Sequence, residues 1–492
     1  MKSPKRSKVS SGIDAQVIAG AARAAALDEP FEGGHRALQE ALAALSPSAL
    51  RLTEDESGRP VQAPLSPEEH FARLALTLPE EGRPLSEVLD MVEKVLAGAP
   101  KTSGGAFFNQ LFGGRDPAAT FADMLSTLMN HSLYTYKLAG PLVLIEAQLL
   151  CSMAERVGYR EAGGLFCPGG SLSNLVAMLC ARDRIAPSAK ERGVPPGLRV
   201  YCSSESHYSL QKAINIIGLG RENLVSISVD HQGAMCPELL QSSISDDLAA
   251  GLRPMMVCGT AGTTVRGAFD PFKAIAEIAE KFGIWFHIDG AFGGSALWLP
   301  ELAPKLAGVD RADSFTWDAH KAMGVPLTCS VLLTRERVAV SRALSEGAHY
   351  LFQEDDDSLN PGLSSLQCGR RNDALKLWAA WQLRGAVGWR ARIERQRALA
   401  LALAEEVSAS ATLELSEAPH FLNVCFEYPG RSSADICARL QREQRALVGY
   451  GTVRGREVIR AAVINPQLTR ADLKQLIQDI ITIAPHCAVS RV

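Results

Sequence analysis

The feature that most constrains the fold is a regular alternation, between residues 198 and 336, of short apolar runs with helix-like stretches. Two of the intervening stretches, HYSLQKAINIIG and FKAIAEIAEKFG, carry apolar residues at the spacing of amphipathic helices. Strands that alternate with helices predict a mostly parallel sheet covered by helices, which is an α/β fold. The apolar runs that would form the strands read LRVYCSS, LVSISV, PMMVCGTAG, IWFHIDGAF, SFTWDAH and SVLLTRE.

The alternation ends near residue 375, and the chain beyond it has a different pattern. A long, interrupted helix is predicted over 373–407, and the strand-like runs FLNVCFEY and VIRAAVIN follow it. The last helix starts at Thr469, which is predicted to form a capping box with Asp472. A length of 492 residues is too great for one simple core. We therefore predict a disordered basic tail at 1–12, a helical segment at 13–95, a large domain at 96–375 and a smaller α+β domain at 376–492.

Composition and charge exclude several classes of partner. The net charge of -3 gives no broad field that would attract nucleic acid or an anionic membrane. No apolar run reaches the length of about 18 residues that a bilayer-spanning helix needs. The eleven cysteines are scattered and include no CxxC pair, which argues against a disulfide framework and a structural zinc. We expect no nucleic-acid or membrane partner and a reducing, cytoplasmic location.

A lysine lies inside the otherwise apolar stretch SFTWDAHKAMGVPLTCSVLL. Lys321 directly follows His320 there and is three residues after Asp318. Most lysines are exposed at the end of an element, and that is the simplest interpretation of this one. An apolar setting, however, destabilises an ammonium and favours the free amine, which is a nucleophile. Lys321 is therefore a candidate Schiff-base lysine.

Asp289 ends the apolar run IWFHID, at the edge of the predicted sheet where ligand sites of parallel α/β proteins lie. A helix cap is a plainer interpretation of this acid. A sharper alternative is a metal site, in which the pairs His287-x-Asp289 and Asp318-x-His320 supply four ligands. Lys321 beside His320 would repel a cation, so we predict no metal and keep a metal-dependent hydrolase as the weaker alternative.

Two further stretches bring glycine, hydroxyl and imidazole groups to strand ends. CPGGSLSN, residues 167–174, predicts a turn that opens a helix, and helix N-termini bind phosphate through free N–H groups and the dipole. Its spacing matches neither GxGxxG nor a P-loop, and Ser173 can also be interpreted as a plain helix cap. GTAGTTV, residues 259–265, places hydroxyls after another apolar run. His207 follows the run VYCSS, and although a lone histidine is most often structural, this one lies at the same strand-end level as the lysine and the acid.

Together these features are the parts that a pyridoxal 5'-phosphate (PLP) site needs. The cofactor requires an amine for its aldehyde, an acid for its ring nitrogen, a phosphate cradle at a helix start and a flat side chain on its ring. The acid keeps the ring nitrogen protonated, which makes the ring an electron sink. The combination predicts a PLP-dependent enzyme more strongly than any one of these features does.

A series of long motifs extends from about residue 105 to 485 and reads FFNQL, LYTYKLAGP, GLFCPGGSLSN, SSESHYSLQKA, GTAGTTVRGAFDP, WFHIDGAFGG, RADSFTWDAHK, YLFQ, LQCGRRNDALKLW and VIRAAVINP. Through these motifs the sequence resembles the group II pyridoxal-phosphate-dependent amino acid decarboxylases, specifically the glutamate, cysteine sulfinate and aspartate decarboxylase branch. The resemblance implies the type I fold of PLP-dependent transferases. It also implies a homodimer whose sites lie at the subunit interface.

The resemblance implies roles for particular residues. Lys321 would hold the cofactor as a Schiff base, Asp289 would pair with the ring nitrogen, and His207 would stack on the ring. Lys321 and His207 are the predicted catalytic residues. Gln110 from FFNQL and Arg460 from VIRAAVINP would contact the substrate, with Arg460 holding a carboxylate. The other predicted cofactor-binding residues are Ser171, Ser173, Thr264, Asp318 and His320, of which the two serines and His320 would serve the phosphate.

Three departures from the family pattern affect these roles. Asp318 and Ala319 replace an asparagine and a proline, and a carboxylate beside a phosphate dianion is repulsive unless it turns away or finds a partner. DGAFGG replaces DAAWGG, which keeps the acid at 289. Ser358 stands about where a loop tyrosine is expected after YLFQ. Because that tyrosine is tied to protonation of the carbanion in the family, the proton donor stays unassigned.

The leading functional hypothesis is PLP-dependent decarboxylation of a small acidic L-amino acid (glutamate, aspartate or cysteine sulfinate) to its amine and CO2. Gln110 and Arg460 favour an acidic substrate. Two alternatives keep the cofactor: decarboxylation-coupled oxidative deamination, and decarboxylation of a non-acidic amino acid such as 2,4-diaminobutyrate. A third is a scaffold without catalysis, against which the intact Lys321 argues.

Overall fold

The structure is a computed structural model, and the part of the chain that it describes comprises residues 34–54, 61, 66–74, 76–346 and 359–490. The predicted basic tail at 1–12 and the start of the predicted helical segment lie outside the described residues. Ser358 lies outside them as well. Within the described residues, no helix combines the length and apolar character needed to cross a membrane.

The described residues up to 100, apart from residue 61, form a small compact unit. Ser66 and Glu69 form a capping box at the start of its second helix. Arg51 pairs with Glu93 at 2.5 Å and so joins its first helix to its third. Its described residues are largely helical. Its helices are Gly34–Glu54, Pro67–Arg73 and Leu85–Ala97.

Residue 61 and the described residues from 101 onwards form the larger unit, which contains two sheets. Its strands are β1 (Phe107–Phe108), β2 (Gly163–Cys167), β3 (Leu198–Ser203), β4 (Leu224–Ile227), β5 (Arg253–Thr260), β6 (Trp285–Asp289), β7 (Ser314–Asp318), β8 (Ser330–Thr334), β9 (Glu414–Leu415), β10 (Asn423–Glu427), β11 (Leu447–Val453) and β12 (Arg456–Ala462). The large sheet has the order β2-β8-β7-β6-β5-β3-β4, and the small sheet has the order β1-β11-β12-β10-β9.

Helices cover both sheets. The helices of the larger unit are Pro117–Met129, Tyr136–Ala139, Pro141–Val157, Gly170–Ile185, Ala189–Arg192, Ser209–Ile216, Pro237–Ala249, Phe272–Phe282, Ala339–Leu344, Asp373–Ala409, Ser433–Arg442 and Arg470–Ile483. The last of them begins with the predicted capping box of Thr469 and Asp472. Below, Gly170–Ile185 is called the cradle helix and Asp373–Ala409 the long helix.

The large sheet is mostly parallel, as predicted, but β8 runs antiparallel to both of its neighbours, β2 and β7. The sequence pattern placed β8 among the parallel strands. Only residues 319–329 separate β7 from β8, and none of them is helical. Because a parallel connection needs a crossover of a dozen or more residues, usually with a helix, the chain returns directly as an antiparallel neighbour.

The small sheet recruits a strand from far upstream. Phe107 and Phe108, in the motif FFNQL, pair in parallel with β11 through Leu447 and Val448. The long helix connects the two sheets in sequence, and its predicted interruption lies at Gly385, where φ is 59°. The boundary predicted at 375/376 falls inside this helix, and the predicted domain limits stay a prediction.

The central strands are buried along their whole length. Every residue of β6 and β7 is buried, as expected for parallel strands covered on both faces. The last residues of the neighbouring strands β5, β6 and β7 are polar: Thr260, Asp289 and Asp318. Since parallel strands end at one edge of a sheet, the fold brings these three side chains together.

Candidate active site

A cavity of about 270 Å³ lies at this edge of the large sheet. It is built by loops that follow the strands and by the start of the cradle helix, as expected for a ligand site in a parallel α/β sheet. The predicted site residues that line it are Ser171, His207, Thr264, Asp289, Asp318, His320 and Lys321. The structure therefore brings these seven residues together at one cavity, and their roles stay a prediction.

Asp289 is held by a buried hydrogen-bond network. Its Oδ2 accepts from Asn174 Nδ2 at 2.7 Å, and its Oδ1 accepts from the Ala291 backbone N–H at 3.1 Å. The Asn174 Oδ1 atom in turn lies 3.0 Å from His287 Nε2 and accepts from Thr316 Oγ1 at 3.1 Å. These bonds fix both the position and the orientation of the carboxylate at the cavity wall.

His287 supports this network as a neutral ring. Its Nδ1 lies 2.8 Å from Ser314 Oγ, and burial lowers the pKa of His287 to about 4. Because both ring nitrogens of His287 are hydrogen-bonded, neither is free to bind a metal ion in the alternative metal site. Across the described ranges, no group of three or more His, Cys, Asp or Glu side chains is arranged to hold a metal ion.

His207 enters the cavity from the turn after β3. The backbone N–H of Ser209 donates to His207 Nδ1 at 3.2 Å, which places the proton of the neutral ring on Nε2. Burial lowers the pKa of His207, and this favours the neutral form. The ring of Tyr208 lies 4.4 Å from the His207 ring. A flat, uncharged imidazole is therefore available to lie against an aromatic ligand.

The cradle helix begins directly after β2. Gly169 turns the chain with φ 108°, a conformation that favours glycine, and the helix starts at Gly170. No side chain of the described residues caps this N-terminus, and Gly169, Gly170 and Ser171 at its start line the cavity. An anion in the cavity would therefore lie at the positive end of the helix dipole. Ser171 lines the cavity here, whereas the Ser173 hydroxyl points to Ser330 on β8, at 2.8 Å between the two Oγ atoms.

The group Asp318, His320 and Lys321 lies opposite this helix start. Asp318 Oδ2 is 3.5 Å from Lys321 Nζ and 3.5 Å from His320 Nε2. Burial lowers the pKa of His320, and its Nδ1 lies 2.9 Å from the Cys329 carbonyl oxygen and 3.1 Å from the Cys329 backbone nitrogen. The long helix holds the chain just beyond Lys321. Arg392 Nε and Gln396 Nε2 both donate to the Ala322 carbonyl, at 3.0 and 2.9 Å.

The two predicted substrate residues do not line the cavity. Gln110 is exposed at the end of FFNQL. Arg460, on β12, donates from Nη1 to the Thr264 carbonyl at 3.2 Å and from Nη2 to the Asn109 carbonyl. Arg460 therefore contacts the backbone of a cavity-lining residue, and burial lowers its pKa.

Some functional candidates were missed in the sequence. Asn174 is the last residue of CPGGSLSN, one helical turn after Gly170, and this spacing was the available signal. Arg392 and Gln396 gave no signal, because more than 70 residues separate them from Lys321 along the chain.

The donor set fits pyridoxal phosphate. The cavity offers an amine at Lys321, a fixed carboxylate at Asp289, a neutral imidazole at His207 and an uncapped helix start at Gly170. A Cβ added to Gly170 would lie 2.8 Å from Asp318 Oδ2, so glycine keeps this part of the cavity open. These are the groups that the aldehyde, ring nitrogen, ring face and phosphate of this cofactor require.

Comparison with known proteins agrees with this geometry. The family described as the pyridoxal-dependent decarboxylase conserved domain matches residues 67–429. The chain belongs to this family. It is a pyridoxal-phosphate-dependent amino acid carboxy-lyase, which confirms the predicted family, fold class, enzyme class and cofactor.

Relatives of this decarboxylase match over most of their length. Acidic amino acid decarboxylase GADL1 from Bos taurus is 36% identical over 438 residues, which cover 84% of each chain. Cysteine sulfinic acid decarboxylase from Homo sapiens is 38% identical over 440 residues, which cover 84% of this chain and 89% of the human protein. The crystal structure of mouse CSAD superposes with a TM-score of 0.85 at 34% identity, covering 90% of this chain and 98% of the mouse chain.

Proposed function

We propose that this decarboxylase removes the α-carboxylate of a small acidic L-amino acid: glutamate, aspartate or cysteine sulfinate. The names of the relatives, acidic amino acid decarboxylase and cysteine sulfinic acid decarboxylase, support an acidic substrate. The observation that carries the proposal is Arg460. Within the described chain no carboxylate pairs with this guanidinium, and its buried Nε has no hydrogen-bond partner. A substrate carboxylate would pair with the guanidinium and accept a hydrogen bond from its Nε.

The residues of the cavity have distinct proposed tasks. Lys321 holds the cofactor covalently through Nζ, and the cradle helix start with Ser171 and His320 receives its phosphate. Asp289 keeps a proton on the ring nitrogen, and His207 packs on the ring with its own proton on Nε2. When bound, PLP supplies the electron sink that accepts the electron pair of the broken Cα–carboxylate bond. Arg460 orients the substrate, which makes that bond and not another one labile.

The proposed tasks of Gln110 and Ser173 differ from those above, because neither residue lines the cavity. Gln110 is exposed within one chain, and its proposed substrate contact requires a neighbouring copy. Ser173 acts through Ser330 and positions the cradle helix against β8. Thr264 is proposed to contact the cofactor ring, with its carbonyl held by Arg460.

We further propose a homodimer with the site near the subunit interface. The helix Pro117–Met129 exposes a series of large apolar side chains, which in a soluble enzyme favours burial against a second copy. Light scattering should show a dimer, and Phe121→Asp combined with Leu128→Asp should yield a monomer with reduced turnover. A wild-type monomer with full activity would contradict this arrangement. The exposed apolar residues are Phe121, Met124, Leu125, Leu128 and Met129.

A reducing, cytoplasmic location is also proposed. All eleven cysteines lie at described positions and all are free thiols. The net charge of -3 supports the absence of a nucleic-acid or membrane partner.

The substrate is tested by screening amino acids for CO2 release by the PLP-loaded protein. Glutamate, aspartate and cysteine sulfinate should be decarboxylated, and 2,4-diaminobutyrate and neutral amino acids should not. Aldehyde and ammonia are measured in the same reactions, because amine without aldehyde distinguishes decarboxylation from oxidative deamination. Lys321→Ala should abolish turnover, while Lys212→Ala, an exposed lysine on the helix after His207, should not. Preferential turnover of a basic or neutral amino acid would overturn the proposed substrate.

A further inference from the structure

Asp318 is a buried carboxylate with an unmet hydrogen-bonding need. It is 1% exposed at the end of β7 and lines the cavity. Its Oδ2 lies 3.5 Å from Lys321 Nζ and from His320 Nε2, which is beyond a short hydrogen bond. Its buried Oδ1 has no hydrogen-bond partner among the residues that the structure describes. A buried polar atom in this state points to an interaction with a ligand or a proton.

The same carboxylate lies against the start of the cradle helix. A Cβ built on Gly170 would be 2.8 Å from Oδ2 and 3.1 Å from Oδ1 of Asp318. A negative charge at a helix N-terminus is favourable as long as it is the only one there. An anion bound by the same helix start places a second negative charge beside Asp318, and two close anions disfavour each other.

The other titratable groups around Asp318 do not offset this second charge near neutral pH. Burial lowers the pKa of His320 and of His207, so both rings are favoured as neutral. Burial raises the pKa of Cys167 to about 12 and raises that of Cys329 well above its usual value, so both thiols stay protonated. Two further cations nearby are paired with other carboxylates: Lys376 with Asp373 at 2.9 Å and Arg370 with Glu146 at 2.6 Å. Asp289 adds another carboxylate to the cavity wall. Lys321 Nζ is 3.5 Å from Asp318 Oδ2, and its amine is consumed when it holds the cofactor.

We propose that Asp318 takes up one proton from solvent when the cofactor phosphate occupies the cradle, so that a carboxylic acid and not a carboxylate faces the phosphate. The inference rests on the proposed roles of the cradle helix and Lys321. Two changes balance separately: Lys321 Nζ bonds to the aldehyde carbon and one water leaves, which pyridoxal shares with PLP, and one proton moves from solvent to an Asp318 oxygen, which needs the phosphate. When Oδ1 is protonated, its O–H can donate a hydrogen bond to the phosphate, and Oδ1 then has the partner that it otherwise lacks.

The linkage has a definite sign. Because the loaded protein carries one more proton than the empty one, PLP affinity falls as pH rises. One extra proton corresponds to about a tenfold loss of affinity per pH unit. Between about pH 7.5 and 8.5 the phosphate of free PLP is already a dianion, because its second pKa is about 6, and adds little to this slope.

The test compares PLP with pyridoxal, which lacks the phosphate, in wild-type protein and Asp318→Asn. Binding is followed by visible absorbance, without any assay of turnover. As pH rises, the PLP affinity of the wild-type protein should fall more steeply than that of Asp318→Asn, by an additional factor of about ten per pH unit. For pyridoxal the two slopes should be equal. Asp183→Asn, a buried aspartate on the cradle helix outside the cavity, should behave like wild type.

Calorimetry of the wild-type protein gives a second measure that needs no variant. Titrations in buffers of different ionisation enthalpy give the number of protons that the complex takes up on binding. Near pH 8, binding of PLP should take up about one proton more than binding of pyridoxal. Equal proton uptake for the two ligands, or equal PLP slopes for wild type and Asp318→Asn, overturns the inference and leaves the proposed function standing. A slope difference that persists with pyridoxal also overturns it. A wild-type protein that binds no PLP overturns both.

Discussion

Two carboxylates end neighbouring parallel strands of the large sheet, and their surroundings are opposite in kind. Asp289, on β6, has both oxygens hydrogen-bonded, to Asn174 and to the Ala291 N–H. Asp318, on β7, has one oxygen without a partner among the described residues and the other 3.5 Å from two nitrogens. The two side chains are almost equally buried, at 5% and 1% exposed.

Burial alone therefore does not determine the role of an acid in this cavity. A fully bonded carboxylate keeps its charge and its direction, which suits a permanent partner for a protonated ring nitrogen. A carboxylate with an unmet bond can change its protonation state when a ligand arrives. We therefore interpret Asp289 as a fixed charge and Asp318 as a variable one.

The largest expected effect comes from removing the fixed charge. Asp289→Asn should lower kcat about a hundred- to a thousandfold at saturating PLP, because a neutral amide cannot hold a proton on the ring nitrogen. Asp318→Asn, assayed in the same way, should lose less than about tenfold in kcat, because an amide can still donate beside the phosphate. Steady-state kinetics of the two purified variants measure this. Equal losses in both variants would erase the distinction between the two acids.

The next effect concerns the network that fixes Asp289. Burial lowers the pKa of His287 to about 4, below its ordinary value of about 6.5. As pH falls, His287 is therefore protonated in the unfolded chain before it is protonated in the folded one. Its contribution to the free energy of unfolding is complete above about pH 6.5 and is lost as pH falls toward 4. This contribution is roughly 3 kcal/mol.

Thermal unfolding of the PLP-free protein tests this. Between pH 7.5 and 5, His287→Asn should lose less in Tm than wild type does, by about 2–4 °C. The exposed His131→Asn serves as the control and should follow wild type. The same pH dependence in His287→Asn as in wild type would show that another group causes it.

The smallest effect concerns the segment that carries Lys321. Gln396 is fully buried and shares the Ala322 carbonyl with Arg392, so one donor remains when the other is removed. Gln396→Leu removes this bond and a second one to the Ile464 carbonyl. It should weaken PLP binding about three- to tenfold, since the one hydrogen bond to the segment of Lys321 contributes about 0.5–1.5 kcal/mol. Gln478→Leu, an exposed position on the last helix, is the control. An unchanged PLP affinity in Gln396→Leu would mean that the long helix does not position Lys321.

The sequence predicted the sheet and the site where local signals were strong. The apolar runs marked buried parallel strands, and the strand-end rule placed Asp289, His207 and Lys321 at one edge. The glycine turn at 169–170 marked the cradle helix. Each of these signals is contained in fewer than ten consecutive residues.

The direction of β8 was predicted wrongly although its cause is local, because the short connection after β7 leaves no room for a parallel crossover. The other features that the sequence missed depend on distant contacts. The pairing of Phe107–Phe108 with β11 joins positions more than 300 residues apart, and no local pattern reports it. The hydrogen bonds of Asn174 to Asp289 and of Gln396 to Ala322 arise only when helices pack against the finished sheet.

The most direct test of the central claim is to locate the covalent attachment of the cofactor. The PLP-loaded protein is reduced with borohydride and digested, and the modified peptide is identified by mass spectrometry. We expect one reduced cofactor per chain, on Lys321, both in wild type and in the Lys212→Ala control. Attachment to a different lysine, or no attachment in a protein that binds PLP, would contradict it.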